Sequence, residues 1–140
     1  MATAETIHRQ LVEAWNTRDF EAMRDLLHSG YTFTGGDGKE LAGGPDTGLN
    51  IAKAYAAAFP DGRIEVRATY PHGDTAISEL RATGTHGGDL MGIAPTGRPI
   101  ELVICNVIEL RDGKVYRERE YFDTAAMLAQ IGVAVSPSQT

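Results

Sequence analysis

The sequence predicts an α+β fold, with helices first and then a curved antiparallel sheet folded around them. Three observations predict it. Apolar residues fall at helical spacing in three segments up to Phe59; they switch to alternation from Arg63 onward; and a tight turn, "RDGK", joins the last two strands.

Ile7, Leu11, Val12 and Trp15 form one stripe on an otherwise polar helix over Thr3–Asn16. "NTRD" interrupts it, and Asp19 suits the N-cap of a short helix through Met23, Leu26 and Leu27. "HSGYTFTGGDGKELAGG" is irregular, with Tyr31 and Phe33 alternating as a short strand. A third helix is expected over Asn50–Phe59, stopped by "PDG". In "RIEVRATY" the alternating residues are Ile64, Val66 and Ala68, and "PHGD" turns the chain. "TAISELRATGTH" puts Ala76, Ser78, Leu80, Ala82, Gly84 and His86 on one side. Small residues there either leave room for a ligand or admit a tight helix contact. After the loop "GGDLMGIAPTGRP", "IELVICNVIEL" is apolar on both faces and reads as a central strand. "VYREREYF" returns, and "DTAAMLAQIG" closes as a helical turn stopped by Gly132. One domain is expected over 1–133, with a frayed tail at 134–140.

Composition narrows the function. The 140 residues are 42% hydrophobic, enough chain for a core. A net charge of −6 without a long basic cluster argues against nucleic acid or an anionic membrane as partner. No apolar run reaches spanning length and "MATAETIHRQ" is not signal-like, which together suggest a cytoplasmic protein. A single cysteine, Cys105, excludes an internal disulfide and a multi-cysteine metal site, and its apolar neighbours suggest a buried structural thiol. His8, His28 and His72 lack spacing to carboxylates that would suggest a metal site. "GGDGKELAGG" lacks the GK[ST] ending of a phosphate loop, and neither a serine elbow nor a dinucleotide fingerprint is present.

The stretch "KVYREREYFD" carries the candidate chemistry. If Arg111, Asp112 and Gly113 form a three-residue loop, even-numbered residues of both flanking strands share a face. Leu102, Ile104, Asn106 and Ile108 then face Tyr116, Glu118, Glu120 and Phe122, with Arg117 and Arg119 outside. A two-residue turn would reverse that parity. Asn106 is the lone amide on its face: either it is satisfied by neighbours, or it donates to a ligand carbonyl. Glu120 beside aromatics either has its pKa raised by desolvation and works as an acid or base, or forms a surface ion pair with Arg81, Arg117 or Arg119. Glu118 has the same alternatives. His86, at the end of its strand, is a proton carrier or an ordinary loop histidine.

"LVEAWNTRD", "GTHGGDLMGIAPTGRPIE" and "RDGKVYREREYFDTAAMLAQIG" resemble the SnoaL-like polyketide (ester) cyclases, within the nuclear-transport-factor-like cone-fold superfamily. The resemblance covers nearly the whole chain. It implies a cone-shaped α+β barrel with an apolar pocket, acid/base enolisation and intramolecular aldol-type ring closure, and no metal, flavin or Schiff base. By register it places the family's acid/base aspartate at Glu120, a histidine of the preceding strand at Asn106, a further histidine at His86, a pocket asparagine near Asn50 and an aromatic lining position at Trp15. Glutamate for aspartate and asparagine for histidine are departures from that pattern.

The reading that follows is a cofactor-free cyclase. Glu120 is its acid/base, Asn106 and His86 are oxyanion or carbonyl donors, and Trp15, Tyr116, Tyr121 and Phe122 form the walls, with Asn50 and Glu118 against the ligand. The expected ligand is small and apolar or aromatic, polyketide-like, and the expected assembly a homodimer. Two alternatives stand beside it: a non-catalytic binding protein of the same fold, and an epoxide hydrolase or isomerase, which would need two acids and a polarising arginine such as Arg81 or Arg119.

Overall fold

A computed structural model describes residues 2–133; the expected tail at 134–140 lies outside the described residues. Helix α1 spans Ala4–Asn16, α2 Phe20–Leu26 and α3 Pro45–Ala58, with β1 (Leu27–Thr34) and β2 (Glu40–Leu41) between the last two. Four long strands follow: β3 (Arg63–His72), β4 (Thr75–Thr85), β5 (Pro99–Arg111) and β6 (Lys114–Tyr121), and then α4 (Thr124–Gln130). The six strands form one curved sheet in the order β2-β1-β6-β5-β4-β3. Neighbours are antiparallel except β1 with β6, which run parallel. The predicted α+β class holds.

Caps mark the helix starts. Thr3 Oγ1 accepts from Thr6 N, Asp19 Oδ1 from Ala22 N and Asp123 Oδ1 from Ala126 N, each satisfying an otherwise orphaned donor. Helix α3 begins at Pro45, five positions before the expected Asn50. Proline suits a first helical turn, where its missing N–H is not needed, and Gly44 (φ 68°) supplies the preceding bend. Asn50 is therefore a mid-helix residue and is exposed.

Two β-bulges reset which side chains face inward. The turn between β5 and β6 has two residues rather than the expected three: Arg111 pairs with Lys114, and Asp112 (φ 53°) and Gly113 (φ 75°) fill a left-handed turn. On its own that turn would send the even-numbered acids of β6 outward. However, Glu109 pairs with Arg117 and Leu110 with Val115, so Tyr116 is an extra residue and the register returns to Asn106 opposite Glu120. The expected face for Glu118 and Glu120 is correct, although it is reached by a different route. The second bulge is at Arg67, between the Val66–Leu80 and Ala68–Glu79 pairs. Past it the expected alternation of Ile64, Val66 and Ala68 breaks, and Thr69 pairs with inward-facing Ser78 while Ala68 pairs with Glu79.

The core lies between the helices and the concave side of the sheet. One apolar cluster gathers Ile7, Leu11, Tyr31, Ala76, Ile108 and Val115; a second gathers Val12, Phe59, Leu80, Leu102, Ile104 and Met127. Along β4 and β5, Ser78 and Asn106 fall at the seam between them, each buried. The small-residue face of β4 is divided: Ala76 packs in the first cluster, while Leu80 and Ala82 line a cavity. The outer face is wet, with Val103 74% exposed, and Cys105 is half-buried on it rather than in the core. The outer arginines pair with outer acids, Arg81 with Glu101 and Arg119 with Glu109. No helix among the described residues is long and apolar enough to cross a membrane.

The segment 87–98 anchors on the end of α3, where the Gly87 and Gly88 N–H groups both donate to Ala58 O. A Cβ on Gly88 would overlap the Ala57 carbonyl oxygen, a backbone atom that cannot swing aside. Gly88→Ala is expected to cost roughly 2 kcal/mol through that overpacking, read as a lower thermal midpoint; an unchanged melt would mean that the segment is not held there.

Candidate active site

Between α1, α3 and the concave sheet lies a cavity of about 150 Å³. Trp15, Ile51, Phe59, Leu102, Ile104 and Phe122 are among its apolar walls. At one place the wall is polar, and there His8, Tyr31, Asn106, Glu118 and Glu120 meet. Each arrives for a local reason. Glu118 and Glu120 are two apart on β6 and so share a face, and Asn106 stands directly opposite Glu120 on β5. Tyr31 points inward from β1 and is 1% exposed. His8 lies on the apolar stripe of α1, three and four positions before Leu11 and Val12.

The hydrogen bonds form one connected set. Asn106 Nδ2 donates to Glu118 Oε2 at 2.8 Å and to Glu120 Oε2 at 3.1 Å. Tyr31 OH donates to Glu118 Oε1 at 2.5 Å. His8 Nε2 lies 2.7 Å from Asn106 Oδ1, and His8 Nδ1 lies 2.8 Å from Ser78 Oγ, which is 2.9 Å from Thr69 Oγ1. Both oxygens of Glu118 thus accept, whereas among the described residues Glu120 receives a donor on Oε2 alone.

That asymmetry has an electrostatic counterpart. Burial pushes the Glu120 carboxyl up to about 7, and the neighbouring Glu118 charge adds to the rise, against the lowering effect of the Asn106 hydrogen bond. Burial holds His8 below its ordinary value, opposed by its bond to Asn106 and by the Glu118 charge. Tyr31 is pushed well above its ordinary value by burial, then by the charge and hydrogen bond of Glu118. Tyr55, also on the cavity wall, is raised by burial and by Glu120. The site can therefore hold a carboxyl that takes up and releases a proton near neutral pH, beside phenols that stay protonated. Glu118→Gln should lower the midpoint of Glu120 by about one unit, because the adjacent charge disappears. Carboxyl infrared bands followed against pH would show this, and an unmoved midpoint would count against the coupling.

Of the residues expected at the site, the structure brings together Glu120, Glu118, Asn106, Trp15 and Phe122. Four do not line the cavity. His86 is fully buried beneath 87–98, its Nδ1 accepting from Thr96 and its ring 5.9 Å from Phe59. Asn50 faces out from the middle of α3. Tyr116, displaced by its bulge, lies under the Arg111 guanidinium and edge-on to His28. Tyr121 is 48% exposed on the odd-numbered, outer side of β6. Asn106 is present, but both of its N–H groups are committed to the two carboxylates, so it is no free donor to a carbonyl. The arginines of an epoxide-opening site are engaged outside, on Glu101 and Glu109. Sequence reasoning missed His8, Tyr31 and Tyr55. Among the described residues, His, Cys, Asp and Glu do not gather in threes at metal-binding geometry.

The family model of the SnoaL-like polyketide cyclases matches residues 5–131. The chain belongs to that family. Within it, the chain is 27% identical over 125 residues to the aklanonic acid methyl ester cyclase AcmA of Streptomyces galilaeus, covering 89% of this chain and 87% of that one. IdmH of Streptomyces antibioticus, assigned as a polyketide cyclase, superposes with a TM-score of 0.80 at 29% identity over 94% of this chain and 100% of its own. A SnoaL-like protein from Jannaschia sp. CCS1 superposes at 0.86 and 19% identity, over 94% and 93% of the two chains, and shares the fold. Its SnoaL-like relatives are named as polyketide cyclases, which supports a cyclase-type enzyme activity for the chain.

Proposed function

We propose that the protein is a cyclase that closes a ring by enolisation and intramolecular aldol addition, with Glu120 as the acid/base group. The observation that carries this reading is the half-satisfied carboxyl: Glu120 stands in an apolar cavity, raised to about 7, with Oε1 free of any hydrogen bond among the described residues. As the carboxylate it removes a proton from a carbon activated by flanking carbonyls. The electron pair moves onto the carbonyl oxygen, and the enolate carbon adds to a ketone of the same molecule. Glu120 then returns its proton to the new alkoxide, so no proton is gained or lost overall.

The donor to the enolate oxygen is reassigned. With Asn106 committed and His86 outside the cavity, the candidate is the Tyr55 hydroxyl, which stands on the wall within the field of Glu120 and has no hydrogen bond among the described residues. Apolar walls exclude water, which strengthens these electrostatic effects and protects the enolate from protonation by solvent.

The test uses aklanonic acid methyl ester, named for the relatives, as first probe. The wild-type protein should exchange the activated C–H for deuterium in D₂O, and in H₂O convert the ester to an isomer of equal mass. Binding without exchange or conversion, on this and on simpler aryl β-keto esters, would favour the non-catalytic binding alternative.

A further inference from the structure

We propose that His8 is a positioning residue: acting through Asn106, it holds that amide in the single orientation that donates to both Glu118 and Glu120, and the Ser78 and Thr69 hydroxyls hold His8 in one tautomer. The proposal rests on the reading of Glu120 as the proton-transfer group.

An asparagine amide is nearly symmetric in shape, so its orientation must come from its partners. With Nδ2 toward the acids, Asn106 Oδ1 faces His8 Nε2 at 2.7 Å and can only accept, so Nε2 must carry a hydrogen. Burial disfavours the imidazolium, so the neutral ring leaves Nδ1 as an acceptor. The Ser78 hydroxyl then gives its hydrogen to Nδ1 at 2.8 Å, and its own oxygen accepts from Thr69 at 2.9 Å. Every donor from Thr69 through Ser78, His8 and Asn106 points the same way, and the chain ends on carboxylates, which have no hydrogen to give. Hydrogen bonds aligned in series polarise and strengthen one another. The opposite tautomer of His8 would present a lone pair to Asn106, favour the flipped amide and turn Oδ1 toward two anions.

Two features of the fold make the chain possible. The Arg67 bulge brings Thr69 rather than Ala68 opposite Ser78, and His8 occupies a fully buried place on the apolar side of α1. A histidine there has a desolvation cost that no core-packing role requires. The groups that face Glu120 are Glu118 on its own strand, Asn106 from β5, His8 from α1, Tyr31 from β1 and Tyr55 from α3, with Arg63 of β3 also on the cavity wall.

The experiment is a carboxyl ¹³C NMR titration of the ligand-free protein labelled at glutamate, with the Glu120 signal identified by its loss in Glu120→Gln. His8→Leu is expected to raise the Glu120 midpoint by roughly one unit, since an amide free to turn no longer holds the donor on Oε2. His8→Gln, which keeps an N–H near Nε2, should return it toward wild type. The acid limb of kcat/KM should follow the same order with little change in KM. A folded His8→Leu with the wild-type midpoint would overturn the proposal. If His8→Leu does not fold, Ser78→Ala decides: a mixed tautomer in the ¹⁵N spectrum of His8 with a raised Glu120 midpoint supports it, and a single Nε2–H tautomer with an unmoved midpoint overturns it. Because the titration needs no substrate, a shifted midpoint in a protein that closes no ring would count against the cyclase reading alone.

Discussion

Glu120→Gln is expected to lower turnover by about 10²–10⁴-fold and, at the same time, to stabilise the protein above pH 7. A mutation that only damaged the fold would lower both. The sign follows from the site. The Glu120 carboxyl lies near 4.5 ordinarily and near 7 in the fold, raised first by burial and then by Glu118. Between those values the folded protein holds a proton that the unfolded chain has released. Wild-type stability therefore falls as pH rises through that window, by up to about 3 kcal/mol for a displacement of this size. Glutamine keeps the shape, still accepts from Asn106 through its carbonyl oxygen, and never ionises, so its profile lacks that fall. Urea midpoints at pH 5 and pH 8 measure the difference. A variant no more stable than wild type at pH 8 would show that Glu120 is not strained by its charge.

Asn106→Leu should give the largest loss of stability, about 3 kcal/mol or more. Leucine fills a similar volume, so the cost is polar rather than a cavity. Among the described residues, His8 Nε2 loses its acceptor, Glu118 loses one of its two donors and Glu120 loses its only one. The loss should grow as pH rises through 7, because the Glu120 carboxylate is then ionised with less support. Val103→Ala, on the same strand but 74% exposed on the outer face, is the control and should stay within about 0.5 kcal/mol. A loss below 1 kcal/mol for Asn106→Leu would mean that the carboxylates are held by something else.

The fold was legible because its signals are local. The α1 stripe, the Asp19 cap and the alternation of β3 to β6 are each written within a dozen residues, and the comparisons bear out both the class and the family. The site was legible only in part, and its errors share a physical origin. The Tyr116 bulge is accompanied by contacts far along the chain: the Leu110 N–H donates to Asp74 O at 2.7 Å, and the displaced Tyr116 ring meets His28 edge-on. Nothing within the hairpin announces that, so the three-residue loop predicted there was an error of length that the bulge cancelled. His8 was read only as a metal-ligand candidate and set aside because its spacing to carboxylates suggested no metal site. Its partners, Ser78 and Asn106, are 70 and 98 positions away. A signal did exist, since His8 is in phase with Leu11, Val12 and Trp15, and a polar residue on a buried stripe asks for a partner. Asn50 was placed by register with a family, and His86 by that register and its place at a strand end; neither carries information about which way a side chain points.

The two bulges also bear on how the gene can change length. The two-residue turn and the extra residue at Tyr116 act as opposite offsets, and together they keep Glu118 and Glu120 indoors. Loss or gain of a single codon between Ile108 and Glu118 would turn both acids to solvent and bring Arg117 and Arg119 into an apolar chamber, a reversal that no side-chain substitution could repair. A paired change would pass almost unnoticed. The same holds for β3 on either side of Arg67, where a lone deletion would exchange Thr69 for its neighbour and cut the wire behind His8. Natural variation in this chain should therefore admit indels freely in the tip at Gly35–Lys39, and across these two strand segments only in even steps.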